Sequence, residues 1–109
     1  MTDRELLELA AKAAGIELVW RNFSNVPNLF KGLSSDEIWN PLADDGDALR
    51  LAVGLGIRIR PMPGFGDDCV LCSADHKNAW AQEPFASDPY AATRRAIVRA
   101  AAEIGRSKE

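Results

Sequence analysis

Two cysteines and the only histidine of the chain lie close together in the sequence, at Cys69, Cys72 and His76. Thiolates and imidazoles are preferred zinc ligands, and a structural site takes four ligands, so a carboxylate such as Asp68 or Asp75 must complete the set. Residues three apart in a strand point to opposite faces, which separates the two thiols. A redox Cys-x-x-Cys pair opens a helix, and nothing after Cys72 resembles a helix start. Strand cysteines that pack in a core are the simpler interpretation. The alternative is a metal-binding or nucleic-acid-binding module centred on Cys69, Cys72 and His76.

Three aspartates, Asp44, Asp45 and Asp47, form an acidic cluster. The cluster lacks the alternating oxygen-ligand spacing of a calcium-binding loop. Carboxylates at a helix start cap free amide groups and meet the positive end of the helix dipole. We therefore interpret the cluster as a helix start. Because no pair of groups is arranged for acid–base or nucleophilic chemistry, we expect a protein that is not an enzyme and needs no cofactor.

Arginines near the C-terminal end give the strongest indication of a binding function. In a helix that begins at Asp88, Arg95, Arg99 and Arg106 fall within about 40° of each other. Guanidinium groups bind phosphates and carboxylates. We predict that these three arginines bind a partner, either a protein or a nucleic acid, with a merely solvated helix face as the alternative. The opposite arc carries the apolar residues Tyr90, Thr93, Ile97, Ala100, Ala101 and Ile104.

The helices that position these residues are marked by their end signals. The first begins after Thr2, runs over Asp3–Ala14 and ends at Gly15. The second begins at the aspartates and ends at Gly54 and Gly56. The last has Asp88 as its N-cap, Pro89 as its first residue and Gly105 as its stop.

Strands are predicted at 17–20, 57–60, 69–73 and 79–81. The segment from Arg21 to Ala43 is compatible with a second short strand or with an ordered loop, and Trp39 and Leu42 are expected to point inward at a turn. Together these elements predict one α+β domain over residues 1–109, with a small, mostly antiparallel sheet of three to four short strands packed against two or three helices.

The composition bounds the classes of function. The net charge of −3 gives no overall basic field for nucleic acid. No apolar run reaches the roughly 20 residues of a membrane span, and the acidic N-terminal residues do not match a signal peptide. We therefore expect a cytoplasmic protein that does not act at a membrane. The last helix has more alanines than one buried face requires, which is compatible with a homodimer.

Two stretches resemble a known group of proteins. Trp39–Val53 (WNPLADDGDALRLAV) and Asp88–Gly105 (DPYAATRRAIVRAAAEIG) are similar to small proteins of tailed phages and prophages of Gram-negative bacteria, distantly NinX-like. The resemblance implies a phage-encoded accessory protein that acts inside the bacterial host cell. It implies no activity and no catalytic residues.

Overall fold

The computed structural model describes residues 2–23, 26–31, 38–62, 68–75 and 78–107, and for residues 21–31 it describes the backbone only. The elements in chain order are α1 (Asp3–Ala14), β1 (Leu18–Phe23), β2 (Val26–Lys31), α2 (Asp45–Leu55), β3 (Arg58–Met62), β4 (Cys69–Ala74), β5 (Ala79–Pro84) and α3 (Pro89–Arg106). Strands β3, β4 and β5 form an antiparallel sheet in that order, and α3 packs against β4 and β5. The predicted α+β class is confirmed.

Helix α3 is the centre of the core, since it contacts α1, α2 and the sheet. Small side chains let all three neighbours approach it closely. The alanines of α3 that suggested self-association are therefore used within the chain. The buried alanines are Ala92, Ala96, Ala100, Ala101 and Ala102.

The close crossing of α1 and α3 corrects the predicted end of the last helix. Gly105 is not a stop: α3 continues through Arg106, and Ser107 is its C-cap. A Cβ atom added at Gly105 would lie 2.0 Å from the Leu9 carbonyl oxygen of α1. The glycine is required for helix packing and not for a left-handed turn. At the other helix ends, Gly15 and Gly56 do adopt the left-handed conformation, with φ of 71° and 67°.

Alternation along the sheet strands separates a buried face from an open one. Val70, Cys72 and Ala74 of β4 are fully buried. Ala79 and Ala81 of β5 are also buried, with only 5% and 4% of their surfaces exposed. In the register, Cys72 lies between Ile59 of β3 and Ala81 of β5. The intervening β5 side chains point to the open face.

The segment from Arg21 to Ala43, for which the sequence allowed either a second strand or a loop, contains a second strand. Strands β1 and β2 pair with each other, as a hairpin separate from the β3–β4–β5 sheet. The Trp20 indole donates a hydrogen bond to Glu8 of α1 at 3.1 Å, and the Arg4 guanidinium carbon lies 4.5 Å from the centre of the Trp20 rings. These contacts attach the hairpin to α1.

The aspartate cluster begins α2, as predicted. Asp44 is the N-cap, and its carboxylate accepts the Asp47 amide at 2.8 Å. Asp47 has a further role, because its carboxylate is buried and accepts the Asn40 amide at 3.0 Å and the Arg50 guanidinium at 2.8 Å. It therefore holds the turn at 41–43 against the helix, next to the buried Trp39. Gly54 lies within α2 and does not end it.

Candidate functional site

A groove of about 300 Å³ runs along the outer edge of β5. Among the described strands β5 pairs only with β4, so its other edge is free to face this groove. Helix α3 forms the opposite wall and α1 contributes one apolar side chain. We call this feature the Arg–Trp groove, lined by Leu6, Trp80, Ala81, Glu83, Arg95, Arg99 and Glu103.

Glu83 is the shared partner of two predicted site residues. Its carboxylate lies 3.3 Å from Arg95 Nε and 3.0 Å from Arg99 Nη1. The Glu83 side chain is only 16% exposed, whereas the two arginine side chains are 41% and 43% exposed. Two cations therefore compensate a carboxylate that has lost most of its water, which is the condition for retaining such a charge in a fold.

The outer contacts of the two arginines differ. Arg95 also pairs with Asp3 of α1 at 3.0 Å, between side chains that are both substantially exposed. Arg99 donates to the main-chain carbonyl of Gln82 at 3.1 Å. An arginine at an unpaired strand carbonyl blunts the edge against further strand pairing. The pair between Arg95 and Asp3 is thus the more easily replaced of these two contacts.

The third predicted residue, Arg106, pairs with Glu103 at 3.1 Å, and Glu103 lines the same groove. The structure therefore places all three arginines on one side of α3, as the helical spacing predicts. Each one nevertheless pairs with a carboxylate of the chain itself. The face is electrically balanced and half-exposed, and it is not the bare basic stripe that the sequence suggested.

Trp80 is the groove residue that sequence reasoning missed. Its side chain is 63% exposed on the open face of β5, between two buried alanines. The strand alternation carried the signal. Small side chains at positions 79 and 81 let a helix pack closely on that face of the strand, so the side chain of Trp80 must point to the opposite face. An exposed tryptophan beside arginines has the composition of a protein-binding hot spot.

A fourth arginine of α3 has a structural role. Arg94 is largely buried, donates to the Leu42 carbonyl at 2.9 Å and pairs with Asp45 at 2.7 Å. It ties α3 to the turn before α2. Charge alone therefore does not show which arginines of this helix are available to bind a partner.

The two cysteines are buried on different faces of β4. Cys69 Sγ accepts a hydrogen bond from Gln82 Nε2 at 3.3 Å, while Cys72 lies on the helix side of the sheet. Burial raises the pKa of the Cys72 thiol to about 11 from 9.0, so it is a neutral thiol at physiological pH. Because the two thiols lie on different faces of β4, they do not converge on one zinc ion. His76 lies outside the described residues.

Elsewhere the described residues give no support to a metal site or a membrane span. No three His, Cys, Asp or Glu side chains among them come together as metal ligands. None of the described helices combines the length and apolar character needed to cross a bilayer.

Comparisons with known proteins found no relative of this chain. No protein-family model, curated protein or solved structure matches this chain. The resemblance to NinX-like phage proteins therefore stays a prediction.

Proposed function

We propose that this protein is a non-enzymatic binding module that holds a segment of another protein in the Arg–Trp groove. The observation that carries the proposal is that one groove, at a strand edge that no described strand pairs with, is lined by the exposed Trp80 and by two half-exposed arginines. Following the resemblance to phage proteins, the module is an accessory protein of a phage or prophage that works in the bacterial cytoplasm.

The charge balance of the groove favours a protein partner over nucleic acid. Tight binding to nucleic acid needs several cations that neutralise phosphates and release counterions. Here Arg95, Arg99 and Arg106 already pair with carboxylates of the chain. A partner can bind this face only by placing its own carboxylate where a carboxylate of the chain now pairs with an arginine. An acidic peptide segment can make this exchange.

Arg95 is the residue at which such an exchange is least costly. Its pair with Asp3 joins two exposed side chains, and exposed pairs contribute about 0–1 kcal/mol. A partner carboxylate can therefore replace Asp3 without disturbing the largely buried Glu83. An apolar side chain elsewhere on the same segment would then pack on Trp80, which lines the same groove as Arg95.

Selection from a random peptide display library tests this proposal even though the partner is unidentified. We expect selected peptides to combine Asp or Glu with a large apolar residue, and to bind Trp80→Ala and Arg95→Gln at least about tenfold more weakly. Ile38→Ala and Arg4→Gln are the matched controls, since they remove an exposed apolar side chain and an exposed charge outside the groove.

A pull-down from bacterial lysate, with and without nuclease, extends the test to natural partners. Capture that survives nuclease and is lost in both groove variants supports the proposal. Capture that nuclease abolishes, or that Trp80→Ala leaves unchanged, contradicts it. Arg95→Gln is preferred to charge reversal, because a carboxylate introduced at this position would face Glu83 and destabilise the fold.

A further inference from the structure

The β3–β4–β5 sheet packs one face against α3 and leaves the side chains of its other face largely exposed. Strand alternation and the register place the side chains of this second face in rows that cross the three strands. In two of these rows the residues of the outer strands are exposed and those of the central strand are partly buried between them. We call the six residues of these rows the open face: Arg58, Ser73 and Trp80 in one row, and Arg60, Leu71 and Gln82 in the next.

The charged residues of the open face are both arginines. The one acidic residue of the three strands, Glu83, lies on the helix side, where it pairs with arginines of α3. Arg58 pairs with Asp75 at 2.7 Å, between two exposed side chains. Arg60 is exposed and makes no ion pair with any described residue. A ligand that carries negative charge therefore complements this face.

Trp80 connects the open face to the Arg–Trp groove. Its side chain belongs to the open face by alternation, and the same residue lines the groove together with Arg95. An extended segment that occupies the groove can therefore continue over the edge of β5 onto the open face. The contact of Arg99 with the Gln82 carbonyl opposes strand pairing at this edge, so the segment crosses the strands and does not extend the sheet.

A second groove, beside Tyr90, lacks this excess of positive charge. The helical wheel placed Tyr90 on the buried arc of α3, but its side chain is 73% exposed and lines a groove between α2, α3 and β3. The charged residues of that groove, Asp45 and Arg94, pair with each other at 2.7 Å. Charge therefore does not select a partner there, whereas Arg60 selects an acidic one on the open face.

We propose that the segment bound in the Arg–Trp groove carries a second acidic residue, whose carboxylate pairs with Arg60 on the open face. This inference rests on the proposed function of the groove and adds a spacing to it. Strands β5 and β3 are two strand intervals apart, which is about 10 Å. An extended segment rises about 3.3 Å per residue, so the second acidic residue lies about three positions from the apolar residue on Trp80. The first carboxylate, at Arg95, lies on the other side of that apolar residue.

The number of cations favours a protein segment over single-stranded nucleic acid on this face. Binding to nucleic acid depends on several cations that neutralise successive phosphates. The open face offers two, and one of them, Arg58, already has a carboxylate partner. A peptide needs a single carboxylate to match the unpaired Arg60.

Selection of display peptides on the wild-type protein and on Arg60→Glu tests the inference. We expect wild-type selection to enrich Asp or Glu about three positions from the large apolar residue. Selection on Arg60→Glu should enrich Lys or Arg at that same position, because the charge that it meets is reversed. Lys12→Glu is the matched control: it reverses an exposed charge of α1 outside both surfaces and should keep the wild-type preference. Circular dichroism confirms that each variant is folded.

A double-mutant cycle measures the pair itself. One selected peptide is compared with an analogue in which Asn or Gln replaces the second acidic residue. Arg60→Gln should weaken the selected peptide by about two- to fivefold, the range of an exposed ion pair, and leave the analogue unchanged. Arg95→Gln and Trp80→Ala should weaken both peptides.

The outcomes separate this inference from the proposed function. Peptides that depend on Arg95 and Trp80 but are indifferent to Arg60, in selection and in the cycle, would overturn the inference and leave the groove as a protein-binding site. Peptides that depend on none of these residues would overturn both. Oligothymidylate that binds the wild-type chain and is lost in Arg60→Gln would assign the open face to nucleic acid and also overturn the inference.

Discussion

Replacing Gly105 by alanine tests the close contact between α1 and α3. At an exposed position inside a helix, glycine to alanine stabilises a protein by about 0.5–1 kcal/mol. At Gly105 the new Cβ atom would lie 2.0 Å from the carbonyl oxygen and 2.8 Å from the carbonyl carbon of Leu9. These are backbone atoms, so α1 itself must move away from α3 by about 1 Å to restore contact distance.

The expected magnitude follows from two opposing terms. Overpacking that shifts backbone costs about 1–3 kcal/mol or more, and the severity of this overlap places it at the upper end. Subtracting the gain in helix propensity leaves a loss of about 2 kcal/mol in the free energy of unfolding. For a domain of this size that loss lowers Tm by about 8 °C.

Gly54→Ala in α2 is the control for this experiment. A Cβ atom at Gly54 meets no heavy atom within 4 Å, so the variant should gain up to about 1 kcal/mol. Urea unfolding followed by circular dichroism measures both variants. If Gly105→Ala is as stable as the wild type, α1 does not cross α3 at this position, and the account of the core is wrong.

Three further predictions concern single side chains. Asp47→Ala should lower the free energy of unfolding by about 1–3 kcal/mol in a urea titration, because the partly buried Asn40 amide loses its acceptor; Asp45→Ala, at an exposed position, should cost less. Cys72 should resist alkylation at pH 8 until the protein unfolds, since burial raises its pKa to about 11 from 9.0. The folded state then holds the thiol proton more tightly than the unfolded state, so stability should fall between pH 9 and 11, and less steeply in Cys72→Ala. Arg99→Gln should speed amide exchange in β5, because it removes contacts that tie this strand to α3, at the Gln82 carbonyl and the Glu83 carboxylate. If Arg99 served only to bind a partner, exchange in the free protein would stay unchanged.

Helix starts could be predicted from the sequence because their signals are local. Thr2, Asp44 and Asp88 each accept an amide hydrogen from a residue no more than three positions away. The side chain and the group it caps therefore lie in one sequence window, and tertiary packing cannot separate them. The same holds for Gly15 and Gly56, where the left-handed conformation is a property of one residue.

Features that depend on distant packing could not be predicted. A glycine at position 105 is typical of a helix stop, but the reason for a glycine there is the close approach of Leu9 in another helix. The spacing of the arginines in α3 placed Arg95 correctly on one side of the helix. Its partners, Asp3 and Glu83, belong to other elements, so the charge balance of the groove emerges only in three dimensions.

The packing of α1 on α3 has a consequence for the kinetics of folding. The ion pair between Asp3 and Arg95 spans 92 residues, so closing that loop costs more chain entropy than forming either sheet hairpin. Folding rates fall as the mean sequence separation of contacts rises. During translation α1 emerges long before α3, and its apolar side stays uncovered on the ribosome until α3 follows. The hairpin pairings of the β3–β4–β5 meander are short-range, so we expect them to form before α1 docks on α3.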